Sequence, residues 1–188
     1  MPSSPKIPRE RILAKALEML IDQGYESINI KSLAKALGCS TQPISWQFGG
    51  MEGLRRELVQ AAMKYADDKL TPDSYRGADS FLQVGKAFID MAFDEPNLFR
   101  FLYLGDQHEI GDRLEKVILP QQSPELIKVI CSGKNLKKEE ALAFIQTLVI
   151  YTYGLTALIA TGLLQEDRET AYKMIENAGL GFQPRPIG

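Results

Sequence analysis

The chain has 188 residues, of which 45% are hydrophobic and 24% charged; it can bury a real core as one large or two modest domains, which argues against a disordered protein. A formal net charge of −2 argues against a chain coated in nucleic-acid-binding charge, and Cys39 and Cys131, far apart and without CxxC spacing, indicate neither a disulfide framework nor a zinc site. The polar, Pro-rich start MPSSPKIPRER lacks the apolar core of a secretory signal, so a cytoplasmic protein is expected.

From Arg9 to about Gln23, Ile12, Leu13, Ala16, Leu17 and Leu20 fall on one helical stripe, and Gly24 supplies the stop. Asn29 is a candidate N-cap for a short helix burying Ile30, Leu33, Ala34 and Leu37. After a tight turn at Leu37-Gly38-Cys39, a second short helix runs from about Ser40 to Phe48, ended by Gly49-Gly50. Leu54, Leu58, Ala61, Ala62 and Tyr65 then mark a longer helix toward Leu70, broken by Thr71-Pro72-Asp73. Phe81, Val84, Gly85, Phe88, Ile89 and Ala92 give the next helical face, and Pro96 opens a short apolar segment closed by Gly105. Residues 106–112 read as loop and Asp112 to Leu119 as helix. Ser123-Pro124 opens either a turn or a helix through Ile130, and Ser132-Gly133 is a break. A last helix from Asp167 to about Ala178 aligns Ala171, Met174, Ile175 and Ala178. Nothing reads as a strand. The expectation is an all-α protein of about nine helices, with a head at 1–50 and a helical body at 51–188.

Between these, residues 141–164 carry no charge and are long enough to span a bilayer. Gln146, four threonines (Thr147, Thr152, Thr156, Thr161) and two tyrosines interrupt the stretch, and the nearest basic pair is Lys137-Lys138. A helix buried on most sides, within the protein or a dimer, explains the pattern better than a membrane span.

Residues 30–48 carry the most information. Two short helices joined by a tight Gly-containing turn form a helix-turn-helix, whose second helix can lie in the major groove of DNA. Ser40 or Thr41 can cap that helix, and Pro43 falls in its first turn, where a missing N–H costs nothing. Ile44 and Phe48 face inward, Thr41, Gln42 and Ser45 outward, with Trp46 at the edge. Gln can pair bidentately with adenine, and Thr offers a hydroxyl and a methyl to thymine. Asn29, Lys31 and Ser32 open the preceding helix, where the positive end of the helix dipole favours phosphate. Residues 1–50 hold six basic against four acidic side chains, a mildly basic head on an acidic body.

Residues 9–54 resemble the DNA-binding head of TetR-family repressors. The shared pattern is Arg11-Ile12-Leu13 with Ala16, Gly24-Tyr25, Leu33-Ala34, Gly38, Ser40, Phe48, and Glu52 with Leu54. Three positions depart: Ser45 stands where tyrosine is usual, with Trp46 next door as a substitute; Gln47 replaces an aromatic or His; and Met51 replaces a lysine. The resemblance implies a homodimer reading a pseudo-palindromic operator, with an interface at about 138–164 and 167–180. It also implies a body cavity for an unidentified small-molecule effector; Phe88, Met91, Phe101, His108 and Tyr151 are the candidates for its wall. No cofactor or metal is expected.

The leading reading is a ligand-responsive regulator, a repressor. Two others stay open: a small-molecule carrier or scaffold with a purely structural motif, and a DNA-binding dimer without an effector. An enzyme has little support, since the single histidine, His108, pairs with no recognisable nucleophile pattern and no phosphate-cradling glycine motif occurs.

Overall fold

The computed structural model describes residues 7–70, 78–105 and 124–182. Its described residues form nine α-helices and no strand: α1 (Arg9–Gln23), α2 (Ile30–Leu37), α3 (Gln42–Phe48), α4 (Met51–Leu70), α5 (Ala78–Asp94), α6 (Pro96–Phe99, continued as a π-turn over Arg100–Leu104), α7 (Pro124–Lys134), α8 (Lys138–Ala160) and α9 (Arg168–Leu180). A single 3-10 turn, Tyr25–Ser27, follows α1. The helix expected over 112–119 and His108 both lie outside the described residues.

The apolar stripes explain the packing. Ile12, Ala16, Met19 and Leu20 of α1 are buried against α2 and α4, and Leu33 and Ala34 of α2 complete the head. The long α4 buries Leu54, Leu58, Val59, Ala62 and Ala66. Its core is continuous with that of the body: one cluster runs from Ile7 through Ile44 and Phe48 to Phe99, Leu155 and Ile175. A second, smaller cluster joins α7 to α8 through Ile130, Phe144, Ile145 and Leu148. Head and body therefore share packing, at about 1.5–3 kcal/mol for each large side chain fully removed from water.

Several boundaries differ from expectation. The Ser132-Gly133 pair does not break its helix; α7 continues through Gly133 to Lys134. The stop comes at Asn135, whose φ of 54° turns the chain left-handed, and the Leu136 N–H then reaches back to the Cys131 carbonyl at 3.0 Å. The uncharged helix ends at Ala160 rather than Leu164, because Gly162 adopts φ 74°. Gly105 follows α6 in an extended conformation, so its left-handed freedom is unused. At the other end of the body Asp167 caps α9, accepting the Thr170 N–H at 2.7 Å.

Candidate functional site

The head is built to hold α3 outward. Gly38, at φ 66°, ends α2 and turns the chain into α3. Ile44 and Phe48 anchor the inner face of α3 at 1% and 6% exposure. Ser40, Thr41, Gln42 and Ser45 are exposed, Pro43 is half-buried in the first turn, and Trp46 is 85% exposed. Trp46 thus stands on the outward face rather than at its edge. Neither Ser40 nor Thr41 caps the helix: Thr41 sits at the N-cap with helical angles and no side-chain cap hydrogen bond. Its hydroxyl stays available on the surface.

At the start of α2 the Asn29 carboxamide oxygen accepts the Lys31 and Ser32 N–H groups at 3.0 and 2.9 Å. The Ser32 hydroxyl accepts the Asn29 N–H at 2.9 Å and donates to the Ser27 carbonyl at 2.8 Å. This capping box occupies Asn29 and Ser32. The Lys31 side chain is exposed and has no ion-pair partner among the described residues; the same holds for Lys35 and Arg11.

Behind α3 lies a clamp that no local sequence pattern signals. The Arg9 guanidinium forms a two-pronged contact with Glu57 of α4, donates to the Gln47 carbonyl, and stacks 4.4 Å over the Phe48 ring. Hydrogen bonding to Glu57 raises the Arg9 pKa above its ordinary value. Gln47 turns inward and donates to the Ile7 carbonyl at 3.0 Å, which accounts for the departure at that position. Met51, another of the three departures, packs half-buried against the core. Gly53 is the closest approach: a Cβ there would overlap the Phe48 carbonyl oxygen. The first turn of α4 therefore sits directly on the end of α3.

A second set of contacts joins head to body. The Asn97 amide of α6 donates to the Ile21 carbonyl of α1 at 3.0 Å, and its oxygen accepts from Arg100 at 2.5 Å. Arg100 in turn donates to the Ala160 carbonyl at the end of α8, at 2.7 Å. Tyr25 packs against Phe101 with ring centroids 5.0 Å apart. Buried Glu95 accepts from Tyr65 at 2.6 Å and Lys69 at 2.5 Å, tying α4 to the α5–α6 corner. Burial works against the Lys69 ammonium, but hydrogen bonds to Glu95 and Tyr65 outweigh it and raise its pKa. Separately, Arg168 of α9 bridges Asp90 and Asp94 of α5 at 2.5 Å each.

The body contains a cavity of about 460 Å³ between α5, α7, α8 and α9, walled chiefly by Phe81, Phe88, Phe144, Leu148 and Ile175. Of the wall residues expected from sequence, the structure brings Phe88 to it. Met91 is buried in the core, Phe101 faces Tyr25, and Tyr151 points away on the outer face of α8. Helical periodicity identifies a buried stripe but not which members meet empty space; Lys134, Thr152 and Gly179 of the wall carry no such signal.

By length and composition α8 could cross a membrane, and one third of its most apolar stretch is buried in the protomer. It packs on α5, α7 and α9 and leaves Thr147, Ile150, Tyr151, Gly154 and Leu158 exposed along one face. The expectation of a helix buried on most sides is not met by the protomer alone, because its partners lie on one side only.

Residues 12–58 match the model of bacterial regulatory proteins of the tetR family. No curated protein sequence matches the chain. Among solved structures, the chain is similar to a TetR-like transcriptional regulator from Rhodococcus sp. RHA1, at TM-score 0.66 and 14% identity over 93% of this chain and 96% of that one. A TetR variant from Acinetobacter baumannii AYE, in complex with minocycline, aligns at TM-score 0.58 and 16% identity, covering 94% and 97%. Mycobacterium smegmatis BioQ aligns at TM-score 0.55 and 15% identity, covering 93% and 97%. Residues 12–58 are thus a DNA-binding head of the tetR family, carried on a chain with the fold of TetR-like transcriptional regulators.

Proposed function

We propose that the chain is a homodimeric, effector-responsive repressor that reads a pseudo-palindromic operator with the outer face of α3. The observation that carries this reading is the division of α3 into a buried side, Ile44 and Phe48, and an exposed side of Thr41, Gln42, Ser45 and Trp46. Gln42 suits adenine and the Thr41 methyl suits thymine, each good contact discriminating by roughly 1–3 kcal/mol. Trp46 takes the place of the missing tyrosine, its indole N–H directed to phosphate or its ring to a thymine methyl. Lys31, exposed and without an ion-pair partner among the described residues, is the phosphate contact at the start of α2.

The apolar outer face of α8, with Gly154 permitting close approach, supports pairing of two protomers through α8 and α9. Two heads then meet half-sites about 34–36 Å apart or a multiple of that spacing. The cavity supports an effector site. It adjoins α5 and α8, which reach the head through α6, Asn97 and Arg100. An effector that favours one arrangement of these helices changes the separation of the heads. The assignment needs no catalytic step, and places the protein in the cytoplasm with its DNA.

The test is DNA retention by the full chain at two salt concentrations. Binding weakens steeply with salt, Gln42→Ala blunts sequence preference, and Lys31→Ala weakens all sequences alike. A chain that binds small molecules in its cavity but no duplex at low salt is a carrier instead.

A further inference from the structure

We infer that the body cavity takes an amphipathic organic anion: an apolar chain or ring lies among Phe81, Phe88 and Phe144, and a carboxylate head meets Lys134. This rests on the reading of the cavity as the effector site, and adds the chemistry of its ligand.

The walls set the first half of that chemistry. A cavity of about 460 Å³ lined by aromatic and branched side chains has the size and surface of a site for one small molecule. The polar groups set the second half. The Tyr153 hydroxyl already donates to the Tyr103 carbonyl, and the Glu176 carboxylate already holds Lys86 at 2.6 Å. Thr152 contributes a neutral hydroxyl, which does not select for charge. Lys134 differs from all three. Lys134 lines the cavity, and its ammonium lies 3.0 Å from the Gly179 carbonyl and 4.6 Å from the centre of the Phe144 ring. Both neighbours are themselves wall residues, so the ammonium is held at the cavity rather than directed away from it. Among the described residues no carboxylate lies within ion-pair distance of it. An ammonium has three donors, and the carbonyl engages one. Among the described residues the wall therefore carries one anion with a salt-bridge partner and one cation without one, beside apolar surface that disfavours any charge further in. A ligand with an acidic head and an apolar body satisfies both, whereas an amine of the same shape meets repulsion.

The experiment is calorimetric titration of the full-length chain with decanoate, 1-decanol and decylamine, matched in length and differing in head charge. Decanoate is expected to bind more tightly than decylamine by about threefold to tenfold at low ionic strength, a gap that narrows with salt. Lys134 is exposed, so Lys134→Gln leaves the fold intact; it should bring decanoate to the affinity of 1-decanol and leave 1-decanol unchanged. Equal binding of decanoate and decylamine, an unaltered preference in Lys134→Gln, or no binding of any of the three overturns the inference. DNA retention with and without saturating decanoate separates the two readings. Charge-selective binding that leaves DNA retention untouched refutes the effector role and upholds the ligand chemistry.

Discussion

Replacing Gly53 by alanine is the most exacting test of how α3 is held. In a helix interior, Gly→Ala ordinarily stabilises by about 1 kcal/mol. At Gly53 the added Cβ overlaps the Phe48 carbonyl oxygen and lies 3.0 Å from its carbon, where ordinary contact begins at 3.4 Å. The obstacle is backbone, so no rotamer change relieves it, and α4 must lift away from the end of α3. Overpacking of this kind costs about 1–3 kcal/mol, and a backbone clash belongs at the upper end. The clash outweighs the helix gain, for a net loss near 2 kcal/mol, or a fall in Tm of roughly 4–8 °C. Gly154, also in a helix interior, has nothing within 4 Å of its added Cβ. Within the protomer Gly154→Ala should therefore be neutral or stabilising by up to about 1 kcal/mol, with any cost to pairing through α8 read separately by sedimentation. Thermal and urea unfolding of both variants, with duplex binding at matched folded fraction, read the two effects. Gly53→Ala should lose DNA affinity even where it is fully folded, because α3 is re-aimed. If Gly53→Ala is as stable as Gly154→Ala and binds DNA like the parent, α4 does not rest on α3 as described.

Other expectations follow from the remaining contacts. Arg9→Gln removes the two-pronged contact to Glu57 and the stacking on Phe48, and should speed amide exchange in α3 and weaken DNA binding; unchanged exchange would contradict the clamp. Asn97→Ala deprives the Ile21 carbonyl and Arg100 of a partner, at about 1 kcal/mol by denaturant unfolding. It should also blunt any effector-driven release of DNA; full release would place the coupling elsewhere. Leu158→Glu puts a charge in the exposed apolar face of α8 and should shift the protein to monomer in sedimentation without loss of helix signal. In alkali, Tyr25 and Tyr153 are held above their ordinary pKa of 10.0 by burial, and Tyr172 by burial and then by Asp90. Raised folded values mean their contribution to stability is full below pH 10.0 and is lost as pH rises through those values. Phenolate absorbance should therefore show these tyrosines ionising late and together with unfolding. Independent early ionisation would contradict their burial.

What could be read from the sequence was local. Gly24, Asn29 and Asp167 mark helix ends because each supplies a backbone angle or an acceptor within three residues, and the structure uses all three. The inward pair Ile44 and Phe48, four residues apart, determines which side of α3 remains outside. Ser132-Gly133 misled because a glycine in a helix is only a modest penalty, which packing of Ile130 against Phe144 and Ile145 overrides. Arg9 and Glu57 are separated by 48 residues and Asn97 and Ile21 by 76, so neither pair leaves a periodic trace. The cavity was least legible: burial patterns say which side chains leave water, not where four helices fail to close. Phe88 meets empty space, while Met91, almost one turn on, fills the core.

Selection of bound duplexes from a random DNA pool by the full-length chain tests the central claim most directly. The account predicts enrichment of a two-fold symmetric site whose half-sites lie one helical turn or a multiple apart, with the preference lost in Gln42→Ala and Trp46→Ala. A pool that shows no enrichment at low salt, or enrichment that survives both substitutions unchanged, would contradict it.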